Sequence, residues 1–160
     1  MDKSTQLTAP DLTLIRLLQT DATLTIEALA RAANLSASAA QRRVQRLRDQ
    51  KVILGDVAIV DPRKVGRALT LLVELELERD RPELLPALKT WIAETPAVQQ
   101  AWYVTGRGDL VLVITATSIE DFDALMEQLM EQNRNVRKFT TSVALKTLKR
   151  GLVVPVGRTA

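Results

Sequence analysis

At 160 residues the chain is long enough for one domain or two small ones, and 46% apolar content suffices for a core. It has neither cysteine nor histidine, which excludes disulfides, thiol chemistry, imidazole catalysis, histidine-ligated haem and the common zinc clusters. The net charge of +3 is too small to indicate a polyanionic partner by itself.

The first residues are polar, without a secretory apolar segment, and no later run reaches membrane-spanning length. The expectation is a cytoplasmic protein with no membrane partner. Thr8, with Asp11 three residues on, forms a capping box for a first helix, and Pro10 is tolerated in its first turn. Leu14, Ile15, Leu17 and Leu18 make its buried stripe. Thr25 caps a second helix whose Ile26, Leu29 and Ala30 face inward at helical spacing. Asn34 suits a left-handed corner, and Ser36 opens a third helix. Two helices joined by so tight a corner have the pattern of a helix-turn-helix, whose second helix can enter a DNA major groove.

The third helix separates its faces. Ala40, Val44 and Leu47 are spaced to bury, which turns Ser38, Gln41, Arg42, Gln45 and Arg46 outward. Between Arg31 and Leu54 stand six basic residues against one acid, whereas from Asp61 onward the counts are 14 and 13. The positive field is therefore local to this helix, where phosphate attraction needs it. Gln41 has the chemistry to bond adenine and Arg42 to reach guanine or phosphate, while Ser36 caps the helix end that approaches the backbone. The candidate DNA-binding set is Ser36, Ser38, Gln41, Arg42, Gln45 and Arg46. Arg43 and Arg48 have two readings, phosphate contacts or ion pairs with acids of the protein itself.

Residues 52–60 alternate enough to predict a short strand, and Asp61-Pro62 with Gly66 a turn, so that 55–66 forms an ordered linker. Residues 71–78 alternate strictly, one face apolar and the other acidic. Asp80 and Glu83 can cap a helix burying Leu84, Leu85, Leu88, Trp91 and Ile92. Strands at 98–105 and 110–115 flank the turn TGRGD. Ser118 and Asp121 cap a second helix with the core stripe Ile119, Phe122, Leu125, Met126, Leu129 and Met130, and residues 136–148 supply a last, bent strand. The order βαββαβ fits a ferredoxin-like sandwich.

Such a sandwich covers one sheet face with helices and leaves the other open. Leu72, Trp102, Val104, Leu110 and Leu112 are more apolar side chains than one covered face accommodates, so a second copy is expected to pair with the open sheet. A homodimer also supplies two reading heads for a palindromic site.

Three segments, LTAPDLTLIRLLQTDATLTIEALARAANLSASAAQRRVQRLRDQKVI, then LGDVAIVDPRKVG, then AWYVTGRGDLVLVI, together give a chain that resembles the Lrp/AsnC (feast/famine) regulators over about residues 7–154. Asp11 matches an aspartate usual near the start of the family's first helix, and Leu35-Ser36 the leucine-serine pair opening its recognition helix. The resemblance implies an α+β protein, an N-terminal winged helix-turn-helix joined to a C-terminal βαββαβ ferredoxin-like sandwich. The domains would be 1–54 for DNA binding, 55–66 for the linker, and 67–160 for ligand sensing and oligomerisation. It also implies dimers assembled into octamers or other multiples, and an amino-acid effector in place of any cofactor. By that likeness Tyr103, Thr105, Gly106, Gly108 and Asp109 are the effector candidates, glycine NH groups meeting a carboxylate and Asp109 an ammonium. The alternative is a structural hairpin in which Asp109 bonds backbone NH groups. Asn34 and Ala37 depart from the family's usual glycine and proline, and Arg107 alters the charge of the turn.

An enzyme is disfavoured, because Asp109 has no nearby base or nucleophile in the pattern and neither glycine belongs to a phosphate-binding motif. Solvated alternation explains Glu74, Glu76 and Glu78 more simply than metal ligation. The function expected is a sequence-specific transcriptional regulator bound to double-stranded DNA and modulated by a small molecule. The alternative is a nucleoid-associated architectural protein that wraps or bridges DNA with low specificity.

Overall fold

The computed structural model describes residues 6–78 and 82–157. They divide into two compact units. One holds the described residues up to Ala58 together with those from Lys149, and the other spans Ile59–Leu148.

The first unit contains α1 (Ala9–Thr20), α2 (Ile26–Ala33) and α3 (Ala37–Asp49). Its core is Leu14, Leu18, Leu29 and Val44, with Ala40 and Leu47 fully buried on the inner face of α3. The caps form where the residue types predict them. The Thr8 amide and hydroxyl both donate to Asp11, the Thr25 hydroxyl accepts from the Ala28 amide, and Ser36 accepts from Ala39.

Asn34 lies at φ 55° and ψ 51°, and the Leu35 and Asn34 amides return to the Ala30 and Arg31 carbonyls. This is a Schellman ending, in which a left-handed residue lets the last carbonyls of α2 find donors. It turns the chain within two residues and sets the start of α3. The other end of α3 closes in the same way on Lys51 at φ 57°, with the Val52 and Lys51 amides bonded to Leu47 and Arg48.

No strand forms over 52–60, contrary to the alternation read there. Leu54, Val57, Ile59 and Val60 are all more than half exposed. Alternation selects a strand only where a neighbouring strand supplies a ladder and one face is buried, and the four-stranded sheet does not include this segment. Pro62–Val65 makes a single 3-10 turn, capped by the Asp61 side chain and closed by Gly66 at φ 82°.

The second unit has β1 (Leu69–Leu77), α4 (Leu85–Glu94), β2 (Val98–Tyr103), β3 (Leu110–Ala116), α5 (Ile119–Gln132) and β4 (Val136–Val143). All neighbouring strands are antiparallel, in the order β2-β3-β1-β4, the ferredoxin-like arrangement. Leu71, Val73 and Leu75 of β1 face Ile114, Leu112 and Leu110 of β3, and all six are buried with Leu88, Trp91, Phe122, Met126 and Leu129 of the two helices.

Leu110 and Leu112 thus belong to the covered face, not to the open one. The antiparallel register decides this, because each sits opposite an inward residue of β1. Ile119 also departs from its expected place and is 53% exposed, since it stands at the first position of α5, before the helix meets the sheet. β2 stops at Tyr103, and β4 at Val143 with bends at 145 and 148, both shorter than their apolar patterns. The capping role read for Asp80 lies outside the described residues. Among the described residues no helix is long and apolar enough to cross a membrane.

Candidate functional site

Two surfaces carry chemistry, one on α3 and one at the end of the β2–β3 hairpin. On α3, Ser38, Gln41, Arg42, Gln45 and Arg46 are all exposed, while Ala40, Val44 and Leu47 between them are buried. Spacings of three and four place the exposed set on one stripe of the helix. Ser36 caps α3 and its hydroxyl lies 3.2 Å from that of Ser38. The Gln45 side-chain amide donates to Asp49 one turn on, at 2.8 Å.

The arginines of α3 divide by partner. Arg48 pairs with Asp56 at 2.6 Å and Arg43 with Asp11 at 3.0 Å, so both follow the ion-pair reading. Arg46 also reaches Asp11, at 2.8 Å, yet its side chain stays 43% exposed. Arg42 makes no ion pair among the described residues.

Asp11 is the buried centre of this group, its side chain wholly covered. Burial pushes its carboxyl up, but the Thr8 hydroxyl and amide, Arg43 and the charge of Arg46 outweigh that and lower it to about 2. The carboxylate is therefore ionised under all ordinary conditions.

In the second unit, the turn from Thr105 to Asp109 is anchored from its far end. The Asp109 amide donates to the Leu75 carbonyl at 2.8 Å, the Val104 amide returns to Asp109, and the Asp109 carboxylate accepts from the Leu77 amide at 2.8 Å. That amide lies where β1 slips register against β4 between Glu76 and Leu77. The structural reading of Asp109 accordingly has direct geometric support.

Replacing Asp109 with alanine is expected to cost about 1–2 kcal/mol, because the Leu77 amide loses its acceptor, and Asp109→Asn less than half of that. Chemical denaturation of the two variants checks it, and equal stability of wild type and D109A would refute it.

Gly108 sits at a close approach. A Cβ there would sit 3.2 Å from the Leu75 carbonyl oxygen and 3.4 Å from the Glu74 Cβ. Gly106, at φ 144°, is instead required by conformation.

Beside this turn a hollow of about 520 Å³ is lined by Glu74, Val104, Thr105, Arg107, Gly108 and Val111. Of the five expected effector residues it brings in Thr105 and Gly108. Tyr103, Gly106 and Asp109 do not line it, Tyr103 being 63% exposed beyond it.

Glu74 and Val111 enter from the register, since they face each other across β1 and β3 on the sheet's open side. Sequence reading placed Glu74 on the outer face of its strand but lacked the pairing that sets it next to the turn. In the sequence Arg107 stands out as a charged residue inside the turn, with Val104 before it and Val111 after it.

A capped, basic-striped third helix and a ferredoxin-like sandwich give the chain the architecture of a helix-turn-helix protein with a second, α+β unit. Comparison with known proteins agrees. The AsnC-type helix-turn-helix domain model matches residues 7–48, and the Lrp/AsnC ligand binding domain model matches residues 70–154. The HTH-type transcriptional regulator y4tD of Sinorhizobium fredii is 36% identical over 155 residues, covering 97% of this chain and 92% of its own. The DNA-binding transcriptional activator DecR of Escherichia coli is 30% identical over 146 residues, with 91% and 96% covered. A transcriptional regulator of Neisseria meningitidis, solved as its L-Met complex, shares the fold with a TM-score of 0.86 at 21% identity, covering 94% of this chain and 97% of that one. The chain belongs to the Lrp/AsnC family of transcriptional regulators.

Proposed function

We propose that the chain is an amino-acid-responsive regulator that works in the cytoplasm, reading DNA with α3 and sensing its effector in the hollow beside the Thr105–Asp109 turn. The exposed stripe Ser38, Gln41, Arg42 and Gln45, with Arg46 at its edge, carries the DNA reading. Its polar side chains suit base edges, and its arginines suit guanine edges or phosphates. Asp11 already neutralises part of the arginine charge of α3, which favours reading by contact geometry over wrapping by bulk charge. In domain terms, residues 1–54 would read, 55–66 connect and 67–160 sense and assemble.

The open sheet face supports assembly. Leu72 and Trp102 are 44% and 49% exposed there, flanked by the half-buried Val111 and Val113. A second copy laid on this face would remove them from water and give two reading heads. Further association of dimers into an octamer, or another multiple, belongs to the same reading.

The hollow is lined by an acid and a guanidinium together with two valines. An amino acid carries the complementary set. Arg107 would take its carboxylate, Glu74 its ammonium, and Val104 and Val111 an aliphatic side chain. Tyr103, Gly106 and Asp109 would then act from outside the hollow, holding the turn. The L-Met bound by the Neisseria relative fits an effector of this size.

The test is calorimetric titration of the twenty amino acids into wild type, Arg107→Ala and Glu74→Gln. Wild type is expected to bind at least one of them, with roughly tenfold weaker binding in either variant, the weight of one charge-assisted bond. A responsive protein whose ligand affinity survives both changes would contradict the assignment.

A further inference from the structure

Thr8, Asp11, Arg43 and Arg46 form a single network between the start of α1 and the edge of the outward stripe of α3. Oδ1 of Asp11 accepts from Arg43, Oδ2 accepts from the Thr8 amide at 2.9 Å and the Thr8 hydroxyl at 2.6 Å, and Oδ2 also forms an ion pair with the Arg46 guanidinium at 2.8 Å. The two Thr8 contacts complete the cap of α1 without any arginine. The arginines are surplus to capping, and their geometry is asymmetric. The carboxylate is fully covered, whereas Arg46 remains 43% exposed.

We propose that Asp11 is a positioning residue for DNA recognition, holding Arg46 by one edge of its guanidinium so that the opposite edge is presented to DNA beside Arg42. The inference rests on the reading of α3 as the recognition helix. A guanidinium has five donors in a rigid planar fork, so one nitrogen can be committed to Asp11 while the others keep a fixed outward direction. The ordering cost of a long side chain is then met on folding rather than on binding. Arg42 and Arg46 stand one turn apart, where two cations repel, and Asp11 offsets that repulsion while adding no exposed negative charge. The pair therefore contributes through direction more than through net charge. Its loss should lower discrimination between DNA sequences more than general affinity.

The experiment uses the full chain, with fluorescence anisotropy on DNA from upstream of its own gene and on a scrambled fragment. Arg42→Ala, Arg46→Lys and Asp11→Asn are compared with wild type, and circular dichroism confirms folding. Asp11→Asn is expected to bind the upstream DNA roughly tenfold more weakly, the weight of one oriented charge-assisted bond, while binding the scrambled fragment as tightly as before or more so. A residue that only caps α1 would leave the ratio of the two affinities unmoved in folded protein, and that result overturns the proposal.

Arg46→Lys keeps the charge but replaces the fork with one ammonium. It is expected to lose the same discrimination even if Asp11→Asn does not fold, and adding Asp11→Asn to it should cost nothing further. Wild-type discrimination in Arg46→Lys overturns the proposal as well. Loss of affinity in Arg42→Ala with an unchanged ratio in the other two would reject Asp11's role alone. An Arg42→Ala variant indistinguishable from wild type would reject the recognition helix itself, and the proposal with it.

Discussion

Replacing Arg42 and Arg46 together with alanine is expected to weaken binding to target DNA by roughly a hundredfold at physiological salt. The two side chains lie one turn apart on the outward stripe of α3, and neither contributes to the buried cluster of Leu14, Leu18, Leu29 and Val44. Each cation that meets a phosphate displaces about one counterion, so the slope of log affinity against log salt should become shallower, by up to about two. The mass of the assembly should not change, because the surfaces assigned to pairing belong to the sheet. Anisotropy over a salt series and light scattering on the same sample measure both quantities. A properly assembled double variant with wild-type affinity would remove α3 from the DNA interface.

Replacing Asp11 with asparagine is expected to cost about 2 kcal/mol at neutral pH. The carboxyl titrates at about 2 in the folded chain against an ordinary 3.8, and its side chain is wholly covered. A group whose folded value is depressed binds fewer protons in the native state than in the unfolded state between those two values. Its contribution is therefore complete above the ordinary value and is lost as pH falls from near 3.8 through about 2. Denaturant midpoints of the wild type should fall across that interval, and those of Asp11→Asn should fall less. Parallel acid limbs for the two proteins would show that Asp11 is not held by Thr8, Arg43 and Arg46 as described.

The helical unit was legible because its signals are local. Capping residues, a left-handed Asn34 and a stripe at Ala40, Val44 and Leu47 each act within one or two turns, and each forms as read. The second unit was legible in element order but not in register. Alternation along β3 does not say which of its two faces meets the helices. Only the pairing of Val73 with Leu112 and Glu74 with Val111 puts the leucine under the helices and the valine in the hollow.

The segment 52–60 failed for the related reason that a strand is a property of two segments and not one. The arginines of α3 show a third limit. Composition distinguishes basic helices from neutral ones, but Arg43 and Arg46 meet an acid 32 and 35 positions earlier in the chain. The charge available to DNA depends on that distant partner.

Asp109 illustrates how geometry reorders chemistry. The glycine-aspartate turn invited an ammonium ligand, yet the carboxylate is already engaged by the Leu77 amide. The charged groups left facing the hollow are Glu74 and Arg107, from a neighbouring strand and from within the turn itself.

The central claim, that this family member couples sequence-selective DNA binding to an amino-acid signal, is tested most directly by one titration. Binding to the DNA upstream of its own gene and to a scrambled fragment is measured across a salt series, with and without pooled amino acids. Tighter binding to the upstream fragment, changed by a single amino acid once the pool is divided, is the predicted result. Equal and strongly salt-dependent binding to both fragments, unmoved by any amino acid, would contradict the claim and describe a protein that holds DNA through phosphates alone.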